Sequence, residues 1–110
     1  MNMNMDLTAN SANRLKSTSG WINSPDGNLI RKRLLAELGA FQTVVVLHHH
    51  FGQAEECFVL MVDRSSIVEV EVSSNGVEDF SVFSTADYLR MNRKLPASFR
   101  FDIEVARTMS

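Results

Sequence analysis

The chain has 110 residues, of which 45% are hydrophobic and 22% charged, with a net charge of −2. That suffices for one domain with its own core, and the near balance of charge excludes a global pull toward nucleic acid or an anionic membrane. Cys57 is the only cysteine, so no internal disulfide forms and a reducing compartment fits. No apolar run approaches the roughly 20 residues of a membrane span, and the start of the chain lacks the apolar core of a secretory signal. A cytoplasmic protein without membrane contact is the expectation.

Residues 1–23 are rich in Asn, Ser and Thr. Such a composition buries too little to offset the entropy of ordering, so a flexible polar tail is expected, followed by a single domain over 24–107. Trp21 and Ile22 are its apolar exception and are expected to cap the edge of the core. "SPDGN" has turn chemistry. In "LIRKRLLAELG", Ile30, Leu34 and Leu38 recur at i+4 with Leu35 beside them, which predicts a helix over 28–38 with Gly39 as its C-cap.

"FQTVVVLHHH" and "ECFVLMVD" are rich in β-branched and apolar residues and predict two strands. Gly52 at the first central position of a two-residue Gly52-Gln53 turn suits type II′. "IVEVEV" is a third strand after the polar link "DRSS". Asn75-Gly76 predicts a type I′ hairpin leading into a fourth strand, "DFSVF". Ser84, three residues before Asp87, starts a short helix, "TADYLRMNR", with Arg93 and Lys94 suiting its C-terminal end and Pro96 beyond. "SFRFDIEV" alternates, with Phe99, Phe101, Ile103 and Val105 expected to face inward and Arg100, Asp102 and Glu104 to face water, as a last strand. The expected fold is α+β: an N-terminal helix packed on a mostly antiparallel meander of about five strands, with a short second helix before the last strand.

The run from His48 to Cys57 concentrates side chains that bind metals and move protons. The assumed turn pairs His50 with Glu55, His49 with Glu56 and His48 with Cys57. His48, His50, Glu55 and Cys57 then share one face with Val44, Val46, Val59, Met61, Val68, Val70 and Val72, the side expected to lie under the first helix. A His-x-His pair with a cross-strand Cys is a plausible zinc ligand set, with Glu55 as a fourth ligand. The simpler reading is a polar rim where the core runs out, with His–Glu cross-strand pairing. No Cys-x-x-Cys frame, nucleophile elbow, P-loop or dinucleotide fingerprint is present, and no catalytic residue is assigned.

The opposite face breaks the usual alternation. Val45, Leu47, Phe58, Leu60 and Val62 make it apolar, bordered by Glu69 and Glu71, so something must cover it: the C-terminal segment, the second helix or another chain. An apolar patch rimmed by charge suits a protein interface. Arg31, Lys32 and Arg33, together with Arg90, Arg93, Lys94 and Arg100, would track phosphates if the two basic blocks lay side by side. "LLAELG" followed by three short strands in a small acidic protein resembles the opening of bacterial type III secretion chaperones, over about the first half of the domain. The chain then departs from that pattern, and no function or residue is carried over. The functional expectation is a non-enzymatic interaction module: a homodimeric accessory, chaperone-like or inhibitor protein that binds a larger partner through the apolar sheet face, without a cofactor. The alternatives are a zinc-binding protein using His48, His50, Cys57 and Glu55, and a nucleic-acid-associated regulator using the basic residues.

Overall fold

A computed structural model describes residues 12, 13, 15, 27–92 and 94–109 of the chain. The elements run α1 (Asn28–Leu38), β1 (Val44–Phe51), β2 (Glu55–Val62), β3 (Ser66–Ser73), β4 (Gly76–Ser84), α2 (Thr85–Met91) and α3 (Ala97–Met109). The strands form one antiparallel sheet in the order β1-β2-β3-β4. This is the expected α+β meander with four strands rather than about five. Trp21, Ile22 and Arg93 lie outside the described residues. So does the expected tail, except for Ala12, Asn13 and Leu15, which are helical, with Leu15 fully buried. No helix among the described residues is long and apolar enough to cross a membrane.

The missing strand is α3. Residues 98–105 alternate in sequence, but Asp102, Ile103, Val105 and Ala106 are all buried, at the i, i+1, i+3, i+4 spacing of one helical face. Asp102 was expected in water and is 8% exposed. The carbonyl of Pro96 accepts the N–H groups of Phe99 and Arg100 at 3.0 and 3.1 Å, so the proline sits where a helix begins. α1 matches its predicted span: Ile30 and Leu34 are buried, and Gly39 closes it at φ 77° with its N–H on the Leu35 carbonyl at 3.0 Å. Ser84 caps α2, its Oγ accepting the Asp87 N–H at 3.1 Å.

Turn chemistry sets the register, and it departs from expectation at each hairpin. The first loop is 52–54, Gly52 donates its N–H to the Glu55 carbonyl at 2.7 Å, and Gly52 is not at positive φ. His50 therefore pairs with Cys57 rather than Glu55, and His48 with Val59 rather than Cys57. The second turn carries the left-handed pair: Asp63 at φ 50° and Arg64 at φ 65°, closed by Ser65 N–H on the Val62 carbonyl at 3.2 Å. The third turn has Ser74 and Asn75 at its centre, with Gly76 following at φ 109°, one position later than a type I′ turn would place it.

β1 also contains a bulge. Val46 pairs with Leu60 and His48 with Val59, leaving Leu47 as the extra residue. The bulge flips β1 across the sheet. Upstream of it, Val44 and Val46 share a face with Phe58, Leu60, Val62, Val68 and Val70, packed under Ile30 and Leu34 of α1. Val45 and Leu47 share the other face with Met61 and Ile67, packed under Tyr88 of α2 and Ile103, Val105 and Ala106 of α3. Two apolar clusters, one on each side of a single sheet, explain why β1 and β2 are apolar on both faces.

Candidate functional site at the open end of the sheet

The buried residues of β1 and β2 lie toward the end of the sheet where β2 turns into β3. At the opposite end, where β1 turns into β2, residues 48–54 are all exposed. The three histidines lie here because the bulge ends the buried part of β1.

His48, His50, Glu55 and Cys57 share one face as expected, but it is the α2/α3 face and not the one under α1, and of the valines expected beside them Val44, Val46, Val68, Val70 and Val72 lie on the opposite side. Their neighbours are Glu69 and Glu71, paired with Val59 and Cys57. The rings of His48 and His50 stack with centroids 6.3 Å apart and an interplanar angle of 10°. His48 also lies 6.2 Å from the ring of Phe99 on α3. Withdrawal from water raises the pKa of the Cys57 thiol, and the carboxylates of Glu71, Glu55 and Glu69 raise it further. Both effects disfavour the thiolate, the form that acts as a nucleophile. Among the described residues, no three His, Cys, Asp or Glu side chains are arranged to hold a metal ion. The residues expected to bind zinc share a face without forming a ligand cage.

On the α1 face, His49 stacks on Phe58 with centroids 4.2 Å apart and 12° between the planes. It also packs against Phe51 at 4.4 Å. Its Nε2 lies 3.0 Å from Oε2 of Glu56. His49 stands opposite Phe58, not Glu56, so this pair is a diagonal reach across the ladder rather than the direct pairing expected. Leu29 and Ile30 of α1 and Val72 of β3 complete the lining of a cleft of about 500 Å³. Phe51 is 67% exposed and Leu29 45% exposed at its rim.

No family model, no curated protein and no solved structure matches this chain.

The remaining expected sites are divided by the fold. Val45, Leu47, Phe58, Leu60 and Val62 were expected on one outer face. The bulge and the loop lengths put Val45 and Leu47 on the α2/α3 face and Phe58, Leu60 and Val62 on the α1 face, each no more than 4% exposed. Glu69 and Glu71 line the former. The cover that the broken alternation called for is the chain's own: α2 and α3 on one side, α1 on the other. The two basic blocks are separated in the same way. Arg31, Lys32 and Arg33 ride on α1, on one side of the sheet, while Arg90, Lys94 and Arg100 belong to the α2–α3 region on the other. Arg33 is moreover held by Glu37 at 3.0 Å and lies over the Phe80 ring at 5.2 Å, and Arg90 is held by Asp87 at 2.7 Å. The blocks do not form one phosphate track. The cleft residues Leu29 and Phe51 were not singled out from the sequence. A Gly52-Gln53 turn leaves Phe51 at its flank, whereas the longer loop over 52–54 makes Phe51 the last residue of β1.

Proposed function

We propose that this chain is a non-enzymatic protein-binding module, an accessory or inhibitor protein that docks on another protein through the open end of its sheet. The observation that carries this reading is Phe51: a large aromatic side chain, 67% exposed, at the rim of an apolar cleft, where the other described phenylalanines of the sheet, Phe58, Phe80 and Phe83, are at least half-buried. Aromatic anchors beside apolar pockets concentrate binding energy, and exposed apolar surface with a polar border is the usual form of such a contact. Glu56 and His49 supply the polar groups at this one.

The test is capture from an extract of the native cell with three forms of the full chain: wild type, Phe51→Asp and Leu35→Asp. Leu35 is 48% exposed on α1 but does not line the cleft, so it controls for an added charge. Loss of an anchor costs about 2 kcal/mol, or roughly 30-fold in affinity. Phe51→Asp is therefore expected to lose the captured protein and Leu35→Asp to keep it. Equal capture by both variants would overturn the reading.

A further inference from the structure

We propose that the occupant of the cleft is a second copy of this chain, with two β1 strands paired antiparallel about a two-fold axis through His50. The proposal rests on the open end being the contact surface, and it specifies what sits there.

The edge comes first. β1 ends the sheet among the described residues, and residues 48–51 are exposed with no proline to interrupt a ladder. Residues 48–53 also contain no Asp, Glu, Lys or Arg, the side chains that ordinarily guard an edge. Two identical segments brought together there meet no fixed like charge.

Register follows from parity. Residues opposite each other in an antiparallel pair point to the same face, so a strand paired with its own copy needs residue numbers whose sum is even. Centring on His49 would set the bulged Leu47 opposite Phe51, yet Leu47 is 2% exposed and held in the core under α2 and α3. Centring on His50 uses residues 48–52, clear of the bulge, and sets Phe51 of each copy opposite His49 of the other.

That position suits Phe51. His49, Phe58, Val70 and Phe80 form a continuous cross-strand row on the α1 face. The partner's Phe51 extends this row by one aromatic ring and stands over the mouth of the cleft. A two-fold contact requires one patch that complements itself. This patch carries both parts: the projecting Phe51, and the cleft floored by Phe58 and walled by Leu29 and Val72. Its imidazole and carboxylate, His49 and Glu56, lie 3.0 Å apart within one copy, so they enter the contact already paired with each other.

The contact is short, which places the dimer at the small, weakly associating end of protein interfaces. Sedimentation velocity of the full chain from about 1 µM to about 500 µM is expected to show a monomer passing into a dimer. Phe51→Asp is expected to weaken this dimer at least about tenfold, while Leu35→Asp leaves it unchanged. A second variant reads the register. Cys57 faces His50 on β2 and would compete for a new thiol, so the background is Cys57→Ser. In that background, His50→Cys oxidised with copper phenanthroline is expected to give a disulfide-linked dimer, because only residue 50 faces its twin. Leu35→Cys in the same background is expected to stay monomeric. A dimer that resists Phe51→Asp, together with no cross-link through residue 50, would overturn the proposal. A chain that stays monomeric at the highest concentration while Phe51 still governs capture of another protein would overturn self-pairing and leave the binding module standing. A monomer with Phe51-independent capture would remove both.

Discussion

Asp63 ties the β2–β3 turn to the start of β1. Its carboxylate accepts the N–H groups of Thr43 and Gln42 at 2.8 and 2.9 Å, and its own N–H donates to the Thr43 carbonyl at 3.0 Å. The bond from Thr43, then that from Gln42, favours the charged form and lowers the Asp63 pKa. A lowered folded-state pKa adds stability above the unfolded value of about 3.9, and that stability is lost as pH falls through the folded value. Asp63→Asn keeps a residue that tolerates φ 50° and removes only the charge. It is expected to lower stability by about 1 kcal/mol at pH 7, with the difference from wild type shrinking as pH falls through the lowered folded-state pKa, as read by denaturant melts. The left-handed pair at Asp63-Arg64 was not legible from the sequence. Aspartate enters that region readily but arginine does not, and the stronger Asn75-Gly76 signal drew the type I′ assignment instead. There the hairpin was legible and its turn was off by one residue, because glycine also serves the position after the central pair.

At the scale of elements, α1 was readable to its ends because an i+4 apolar stripe and a terminal glycine agree. One detail of its face was not: Leu35, expected inside, is 48% exposed, while Leu34 is fully buried against β-sheet valines. The contrast makes a paired prediction. Leu34→Ala is expected to cost about 3 kcal/mol through the cavity it leaves, and Leu35→Ala less than about 0.5 kcal/mol, measured by urea unfolding. Similar losses for both would mean that α1 is not seated on the sheet through Ile30 and Leu34. α3 was misread because "SFRFDIEV" satisfies a period of two in its large apolar residues. Its helical face uses Asp102 and Ala106, which an apolar count ignores, and the Pro96 that was read as following a helix starts this one.

For the whole molecule, the order of strands in the meander was legible, because short links join neighbouring strands. Which side chain faces which way was not. Loop lengths and the Leu47 bulge fix the parity of each pairing, and a one-residue change moves every side chain across the sheet. The candidate site shifted with it. The apolar residues expected to form an interface make two buried clusters, and the proposed contact surface lies instead at the β1–β2 end of the sheet, where His49, Phe51 and Leu29 line one cleft. That end either binds or it does not, and amide hydrogen exchange of the full chain reads it residue by residue, free and with its captured partner or its second copy bound. The account predicts slowed exchange over residues 48–58 and at the start of α1, with 85–91 and 97–109 unchanged. Slowing confined to α2 and α3, with 48–58 exchanging as in the free chain, would contradict it.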